Sequence, residues 1–261
     1  MNFHFYADDC QIYFSLDSVS SVTTTRIEAC LQDIGTWMSL NKLKLNDDKT
    51  ELLVIGSGNL SASQLPSFTA TDGSVIQPSH SAKNIGVIFD NKLNMERQVS
   101  AICKSAFFHI RNISRIRKFL SVSSTKALVH AFVTCRLDNC NSLLYGLPKH
   151  LVHRLQLAQN CAARLILCGR KHDHVTPLLR ELHWLPVEQR IIFKILFFTF
   201  KALNNLFPGY ISDLLETYKP TRSLRSSSRN LLVIPRSKLK SYGDRAFSVS
   251  APKCGMTFLK P

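Results

Sequence analysis

Apolar and polar residues alternate at the beginning of the chain. Phe3 and Phe5 alternate with more polar positions, and Ile12 and Phe14 resume the alternation after the acidic pair Asp8-Asp9. Alternation with a period of two on both sides of a short polar segment is typical of a β-hairpin. The pattern therefore predicts two strands with two carboxylates at the tip that joins them.

The pattern then changes to helical spacing. Between residues 22 and 40 the apolar residues recur at intervals of three or four, after a Ser/Thr cluster and before Asn41, which are typical helix boundaries. These apolar residues are Ile27, Leu31, Ile34 and Met38. An amphipathic helix is predicted here.

Two further strands are predicted before the chain becomes helical. Residues 51–56 and 84–90 are rich in Val and Ile and are bounded by Gly, Asn and Asp, a composition that favours strands. The Ser/Gly/Pro-rich residues 57–83 between them are predicted to form a loop that holds one short strand.

From residue 92 onward the periodicity is helical. The predicted helices span residues 94–120, 123–137, 149–167 and 187–204. The fold class is therefore predicted as α+β, with mixed structure first and helical structure afterwards. Residues 219–240 contain seven Lys/Arg, five Ser and no acid, which predicts an extended basic arm.

The distribution of charge indicates what the chain binds. Its 261 residues carry a formal net charge of +15, which favours a polyanionic partner, nucleic acid before a membrane surface. Residues 1–60 contain four Lys/Arg and eight Asp/Glu, a net of −4, so residues 61–261 carry the remaining +19. The acidic residues 1–60 and the basic residues 61–261 are thus expected to bind different partners.

Cysteine spacing and hydropathy bear on the compartment. The eight cysteines show no regular framework spacing, and no signal-peptide pattern precedes them. Free thiols and an intracellular location, nuclear or cytoplasmic and not secreted, are expected. The most apolar stretch, residues 191–200, is ten residues long and contains Lys194. It is too short to span a bilayer and is typical of a buried helix, so no membrane partner is expected.

The predicted helix over residues 94–120 has a cationic side and an apolar side. At 100° per residue its cations fall within a stripe roughly 60° wide and about 30 Å long that contains no acid. The stripe consists of Arg97, Lys104, Arg111, Arg115 and Lys118. The opposite side consists of Val99, Ile102, Ala106, Ile110, Ile113, Ile116 and Leu120. Such a stripe either follows a nucleic-acid backbone or is an ordinary solvated face, and the absence of acids favours binding.

Asp8 and Asp9 are candidate metal ligands. Adjacent carboxylates at the tip of a hairpin repel one another, and a divalent cation between them relieves the repulsion. Mg²⁺ prefers carboxylate oxygens and, when held by them, supports phosphoryl transfer. An Asp-Asp pair by itself is more often a solvated turn, so the surrounding motifs decide between the two interpretations.

Four blocks of sequence carry a resemblance to a known family. They are FYADD at residues 5–9, LKLNDDKTE at 43–51, NIGVIFDNKL at 84–93, and LHWLPV at 182–187 followed by Arg190, Phe193 and Lys194. In this order the blocks resemble reverse transcriptases of LINE-type (non-LTR) retrotransposons, of the jockey-like group. The first matches their catalytic hairpin, and the other three resemble motifs that follow it. Because they extend over most of the chain, the resemblance is specific.

The resemblance implies roles for individual residues of the hairpin and of the second block. Asp8 and Asp9 would hold Mg²⁺ at the polymerase centre, and Tyr6 and Ala7 would lie beside the primer end and the incoming nucleotide. Lys49 would be the general acid for the departing pyrophosphate, for which a protonated lysine is suited. The alternative for Lys49 is a solvated lysine after a turn.

The resemblance also implies an architecture. Gly86 and Val87 would belong to a strand that supports the primer, and the cationic helix would be a thumb helix that grips an RNA or RNA/DNA duplex. The implied layout is a partial palm over residues 1–92, thumb-like helices over 93–140, a C-terminal helical region over 141–218, and a basic arm with a degenerate end over 219–261.

The family has parts upstream of the hairpin that this chain lacks. They include the fingers and a palm strand with a further metal-binding Asp. Without that carboxylate an octahedral ion keeps most of its water and is poorly positioned, so the chain is expected to be catalytically incomplete alone. It is expected to be a C-terminal fragment. Residues 247–252 (FSVSAP) resemble a family motif and the residues after them do not, as in a remnant of a genomic copy.

Three other features have structural interpretations. Cys161, Cys168, His172 and His174 match neither common zinc spacing, so zinc is not expected. The helically spaced Phe193, Phe197, Phe198 and Phe200 are predicted as core rather than as a base-stacking platform, and His183 and Trp184 are predicted to pack a turn. Around the hairpin, Phe3, Phe5 and Ile12 are expected to form uncovered apolar surface.

The predicted function is that of a retrotransposon RNA-directed DNA polymerase remnant that binds nucleic acid but does not polymerise alone. One alternative is a polymerase part completed by a separate upstream half, which requires a third carboxylate near Asp8. The other is a helical protein-interaction module without a nucleic-acid role. Salt dependence separates the latter, because phosphate binding weakens steeply with ionic strength and apolar association does not.

Overall fold

The fold is that of a computed structural model, which describes residues 2–14, 21–56, 67–218, 231–237, 239 and 241–258. The chain divides into unit 1, Met1–Arg97, and unit 2, Gln98–Pro261. Unit 1 combines one long helix with short strand pairs, and the described part of unit 2 is mainly helical. The predicted α+β class is therefore confirmed in its general form. The last strand of unit 1 ends at Asp90 and the next helix begins at Glu96, so the structure becomes helical near residue 92, as predicted.

The alternating residues at the start form the predicted hairpin. Strand β1 (Asn2–Tyr6) pairs antiparallel with β2 (Asp9–Tyr13), and Tyr6 lies opposite Asp9. The two-residue connection places Ala7 at φ 52°, because such hairpin turns need a left-handed first residue to match the twist of the strands. An alanine in this conformation is strained by about 1 kcal/mol.

Helix α1 (Ser21–Leu40) follows the predicted stripe, with Ile27 buried and Leu31, Ile34 and Met38 half-buried. It lies against strand β4 (Phe68–Thr69), where the Glu28 carboxylate accepts a hydrogen bond from the Thr69 backbone N–H at 3.0 Å. Gly35 permits the close approach, since a Cβ there would lie 2.5 Å from the Thr71 Cγ2.

The remaining strands of unit 1 are short and form separate pairs. Strand β3 (Leu52–Leu53) is parallel to β6 (Pro78–Ser79), β4 is antiparallel to β5 (Val75–Ile76), and β7 (Ser81–Asn84) is antiparallel to β8 (Val87–Asp90). The loop predicted over 57–83 thus contains several strands in its described part, residues 67–83. Residues 57–66 lie outside the described residues.

The strand predicted over residues 84–90 is confirmed for Val87–Asp90, but its first part and the placement of Gly86 in it are wrong. Ile85 and Gly86 have φ of 44° and 80° and form the turn between β7 and β8. Gly86 adopts this conformation without strain, whereas a β-branched residue rarely does. The isoleucine before the glycine concealed the turn, because the usual signal is Asn-Gly or Asp-Gly.

Unit 2 is built from helices joined by short turns. Its helices are α2 (Glu96–Ile116, which begins in unit 1), α3 (Val122–Val129), α4 (Cys135–Asp138), α5 (Lys149–Leu167), α6 (Val175–Glu181), α7 (Val187–Leu203), α8 (Gly209–Ser212) and α9 (Phe247–Phe258). One π-helical turn, His130–Thr134, joins α3 to α4, so the helix predicted over 123–137 is found with an internal irregularity. The predicted bounds of α5 are confirmed.

Helices α5 and α7 form the centre of unit 2, with Leu155, Ile166 and Ile195 fully buried. Two glutamines of α5 hold the start of α7. The Val187 backbone N–H donates to the Gln156 Oε1 at 2.8 Å, and the Gln159 Nε2 donates to the Leu185 carbonyl at 2.9 Å. The LHWLPV block therefore has a packing role.

The end of the chain departs from the predicted basic arm. Helix α9 contacts α7, and Val249, Ala251 and Cys254 are buried. This helix contains Pro252, which conceals it in the sequence, and its burial against α7 supplies stability that local propensity does not. Residues 219–230 of the predicted arm lie outside the described residues.

Two general properties follow from the described residues. None of their helices is long and apolar enough to cross a membrane. The eight cysteines are free thiols.

His183 and Trp184 form the turn that follows α6. His183 has φ 55°, and the Trp184 N–H donates to the Leu179 carbonyl at 2.8 Å. The prediction that these two residues pack a turn is therefore confirmed.

Candidate functional site

The hairpin tip presents the two candidate carboxylates. Asp8 is the second turn residue and Asp9 begins β2, and both are exposed, as are Tyr6 and Ala7. Within the described residues, neither carboxylate takes part in an ion pair. Two adjacent carboxylates without a cationic partner fit a hard divalent cation that keeps most of its water.

The two faces of the hairpin differ in character. Cross-strand pairing places Phe5 opposite Cys10 and Phe3 opposite Ile12, so these four residues share the apolar face. Phe3 is 66% and Phe5 62% exposed, as expected, and their ring centroids are 5.2 Å apart. Ile12 is half-buried and not fully exposed, so the exposed apolar surface of the hairpin is smaller than predicted.

The polar face of the hairpin is tied to the second hairpin of unit 1. Gln11, two residues after Asp9 and therefore on the same face, donates from its Nε2 to the Asn84 Oδ1 at 2.7 Å. Asn84 is the last residue of β7, beside the Ile85-Gly86 turn. This bond joins the FYADD hairpin to the first residue of the NIGVIFDNKL block through Gln11, which the motif analysis did not single out.

Asp90 holds the turn that leads into α2. Its buried carboxylate accepts hydrogen bonds from the backbone N–H groups of Lys92, Asn94 and Met95 at 3.1, 2.9 and 2.7 Å. The Asn94 side chain then accepts from the Glu96 N–H at 2.9 Å, as an N-cap does. The aspartate of this block thus shapes the chain and does not reach the hairpin tip.

Lys49 lies at the end of a 3₁₀ turn, Asp47–Lys49, and is exposed. Among the described residues it forms no ion pair with Asp8 or Asp9. A cavity of about 310 Å³ lies beside this turn and is lined by Lys44, Leu45, Asn46, Asp48 and Asp72. Hydrogen bonds from Ser74 hold the pKa of the Asp72 carboxyl below its usual range. The proposed role of Lys49 therefore stays a prediction.

The described part of the chain contains no group of three His, Cys, Asp or Glu residues arranged to hold a metal ion. Cys161, Cys168, His172 and His174 therefore do not converge. At the hairpin, the two carboxylates are those of Asp8 in the turn and Asp9 at the start of β2.

The cationic stripe is carried by unit 2 for most of its length. Lys104, Arg111 and Arg115 are exposed on α2, and their spacing places Lys104 and Arg115 about 17 Å apart along the helix. Arg97 belongs to unit 1, where its guanidinium donates to the Ser81 hydroxyl at 2.6 Å. Lys118 is exposed on the 3₁₀ turn Arg117–Phe119, after the α-helix has ended.

The end of α2 at Ile116 has a physical cause. Arg117 turns inward and donates to the Leu165 and Ile166 carbonyls at the end of α5, both at 2.9 Å. A guanidinium at a helix C-terminus satisfies free carbonyls and complements the helix dipole. The helix predicted over 94–120 is therefore too long, and Ile116 is exposed rather than on the apolar side. We call Lys104, Arg111, Arg115 and Lys118 the cationic face.

Phe108, which the sequence analysis did not identify as a candidate binding residue, lies within this face. It is 57% exposed and follows Lys104 by four residues, which places it on the same side of α2. The Lys118 Nζ lies 4.8 Å from the centroid of the exposed Phe119 ring. Aromatic rings between cations can stack on bases, and the four-residue spacing from Lys104 was the signal.

The prediction that the phenylalanines of α7 form core is wrong for three of the four. Phe193, Phe197 and Phe200 are exposed, and Phe198 is half-buried. The buried side of α7 consists of Val187, Ile191, Ile195, Thr199 and Ala202. Because α7 is apolar on nearly all sides, periodicity could not indicate which side faces the core.

Comparison of the chain with models of protein families, with curated proteins and with solved structures finds no match. The resemblance to reverse transcriptases therefore stays a prediction from four sequence blocks. The function is argued from the hairpin of unit 1 and from the cationic face of unit 2.

Proposed function

We propose that the chain is the part of a LINE-type reverse transcriptase that contains the catalytic hairpin and the helices after it, and that it binds an RNA or RNA/DNA duplex. The chain does not polymerise alone. The observation that carries the proposal is the hairpin, whose two-residue tip exposes Asp8 and Asp9 with Ala7 in a strained left-handed conformation.

The strain and the charge of the tip support a functional interpretation. A non-glycine residue with positive φ costs stability and is found more often where function requires it. Two adjacent carboxylates without a cationic partner add repulsion at the same place. Both costs are consistent with a site whose shape is retained for metal and nucleotide binding.

The link between the two hairpins gives a second line of support. The Gln11–Asn84 hydrogen bond places the polar face of the FYADD hairpin beside the turn of β7 and β8. If Asp8 and Asp9 hold Mg²⁺, that turn, held to the same hairpin through Gln11, would help to position a primer strand. The proposed primer support is therefore the Ile85-Gly86 turn and the start of β8, in place of a continuous strand.

The cationic face of unit 2 supports nucleic-acid binding independently. Lys104, Arg111 and Arg115 are exposed and aligned, and α2 has a single acid, Glu96, in its first turn. A row of cations without acids neutralises successive phosphates and releases counterions. These residues would hold the duplex as a thumb helix does.

Mg²⁺ would be held weakly by this chain. Asp8 and Asp9 offer two adjacent protein ligands, and the described residues place no third carboxylate with them. The ion, when bound, supplies a positive charge that stabilises phosphate oxygens. The hairpin itself places the two carboxylates on consecutive residues, Asp8 in the turn and Asp9 at the start of β2, so both are presented at the same end.

A second candidate function is a polymerase part that is completed by another polypeptide. The exposed Phe3 and Phe5 rings on a two-stranded sheet favour it, because isolated strand pairs with an apolar face are marginally stable and tend to add strands. In that case the other polypeptide would supply the missing carboxylate.

The proposal is tested with a fluorescent RNA-template/DNA-primer duplex. The full chain should bind it, and the affinity should fall steeply when the salt concentration rises from 50 to about 200 mM. An Arg111→Glu/Arg115→Glu variant should lose binding at both concentrations. Nucleotides and Mg²⁺ are then added, and no primer extension is expected from the chain alone.

A charge-matched control makes the result specific. Lys149→Glu/Lys171→Glu changes the net charge equally at exposed positions on other elements, and it should retain most of the binding. Equal losses in both double variants would mean that only the net charge matters and would contradict a specific face. Extension by the chain alone would contradict the claim of an incomplete centre.

A further inference from the structure

The exposed aromatic residues of α7 form a surface that the proposed polymerase function does not use. Phe193, Phe197 and Phe200 follow one another at helical spacing on the side opposite the core. Phe193 is 57% and Phe200 60% exposed. The rings of Phe193 and Phe197 are nearly parallel, with an interplanar angle of 15° and centroids 6.3 Å apart. We call these three residues the aromatic face.

Lysines lie along one edge of this face. The Lys201 Nζ is 4.8 Å from the centroid of Phe197, and the Lys194 Nζ is 5.8 Å from that of the neighbouring Phe198. Both lysines are half-buried, with stems that pack along the aromatic rings. The single acid of α7, Glu188, lies about 140° from Phe193 around the helix at 100° per residue. On this side α7 contributes aromatic and cationic side chains and no acid. The nearby Asp138 of α4 is paired with Arg190 of α7, so its charge is neutralised.

This combination favours a single-stranded polynucleotide over an apolar protein surface. An apolar partner would have to desolvate two ammonium groups without pairing them, which is unfavourable. A polynucleotide gains from both features, because its bases stack on the rings and its phosphates pair with the lysines. A double helix fits less well, since its bases are already stacked and not accessible to side-chain rings.

We propose that the aromatic face of α7 binds single-stranded RNA by stacking bases on Phe193, Phe197 and Phe200, with Lys194 and Lys201 contacting phosphates. The choice of RNA rests on the proposed function, in which the template reaches the protein as a single strand. This surface is separate from the cationic face on α2, which contacts duplex. The full chain thus has two nucleic-acid surfaces of different specificity in unit 2.

The test compares single-stranded and duplex probes on the full-length protein. A labelled oligouridine of 12 nucleotides is titrated by fluorescence anisotropy, alongside the RNA/DNA duplex described above. Phe193→Ala/Phe197→Ala should weaken oligouridine binding at least about 10-fold, since each base–aromatic stack contributes that much or more. Duplex binding should be unchanged.

Two controls separate stacking from general hydrophobicity. Phe193→Leu/Phe197→Leu keeps apolar area but removes the rings, and should lose oligouridine binding as the alanine variant does. Phe193→Tyr/Phe197→Tyr keeps the rings and should retain it. An abasic strand of equal length should bind the wild type and all three variants with the same weaker affinity. A matching oligodeoxyuridine measures how far the 2′-hydroxyl contributes, and equal or tighter binding of the DNA strand would overturn the choice of RNA.

The outcomes distinguish this inference from the proposed function. If Arg111→Glu/Arg115→Glu loses the duplex while the alanine variant binds oligouridine normally, the aromatic face is not an RNA site and the proposed function stands. If the wild type binds neither probe, both fail. If the alanine variant changes the sedimentation of the protein and leaves RNA binding intact, the face mediates self-association, and the inference is overturned.

Discussion

The two units of the chain differ in how their apolar residues are used. Among the described residues, five buried apolar side chains lie in unit 1, namely Ile27, Phe68, Ala70, Val87 and Met95, whereas twenty-five lie in unit 2. Unit 1 holds the hairpin with the adjacent Asp8 and Asp9, and its described strands form two-stranded pairs. The described part of unit 2 has a continuous helical core.

This difference in burial means that the most stable part of the chain is not the part that carries the candidate metal site. A helical core centred on α5 and α7 buries enough apolar surface to stabilise unit 2 on its own account. Paired strands with one exposed apolar face do not stabilise themselves to the same extent. Functions carried on the surface of unit 2 are therefore expected to survive changes that abolish the proposed metal binding by the hairpin.

The largest effect is predicted for truncation of the helical core. Leu155→Ala should lower the free energy of unfolding of unit 2 by about 3 kcal/mol, because Leu155 is fully buried and leaves a cavity. Phe3→Ala, which removes a larger but exposed side chain of unit 1, should change the free energy of unfolding of unit 1 by less than about 0.5 kcal/mol. Urea unfolding followed by far-UV circular dichroism measures both. Similar losses in the two variants would remove the contrast between the units.

The next largest effect is predicted at the turn into α2. Asp90→Ala leaves three backbone N–H groups without their carboxylate acceptor and should destabilise this region by about 2 kcal/mol. Hydrogen exchange should accelerate at Asn94 and Met95. Asp48→Ala, at an exposed position, serves as the control and should leave exchange at those residues unchanged. Protection that persists without Asp90 would show that the turn is held by other contacts.

The hairpin carboxylates are predicted to matter for metal binding and not for stability. Asp8→Asn/Asp9→Asn should leave unfolding within about 0.5 kcal/mol of the wild type, because both residues are exposed. Mn²⁺, used as a paramagnetic substitute for Mg²⁺, should broaden the amide resonances of residues 7–10 in the wild type only. Broadening that is equal in the variant would place the ion elsewhere.

The smallest predicted effect is at alkaline pH. Burial, with a hydrogen bond to Cys254, raises the pKa of Tyr145 to about 12. The folded state therefore favours the protonated phenol, so this contribution to stability is complete below pH 10 and is lost as the pH rises through about 12. Tyr145→Phe should reduce the fall in the urea midpoint between pH 10 and 12. An identical pH profile would indicate that the phenol is not in a perturbed environment.

The sequence was sufficient for elements whose stability is local. The helical spacing of Ile27 to Met38 predicted α1, and the bounds of α5 agreed at both ends. The hairpin was predicted because alternation flanks a two-residue polar tip. Asp8 and Asp9 were located for the same reason, and the cationic face was located because helical spacing alone aligns its residues.

Elements that depend on tertiary contacts were not predictable. Helix α9 contains Pro252 and is stabilised by burial against α7, which no local pattern indicates. The inward turn of Arg117 depends on carbonyls of α5, nearly fifty residues away in sequence. The Gln11–Asn84 bond likewise joins distant positions, and the apolar character of α7 on nearly all sides concealed which phenylalanines are exposed.

The most direct test of the nucleic-acid interface is the salt dependence of duplex binding. The logarithm of the binding constant for the RNA/DNA duplex is measured against the logarithm of salt concentration for the wild type and for Arg111→Gln/Arg115→Gln. If both arginines contact phosphates, the magnitude of the slope should fall by about 2 in the variant. An unchanged slope, or a wild type that binds without salt dependence, would contradict the account of α2 as a phosphate-binding helix.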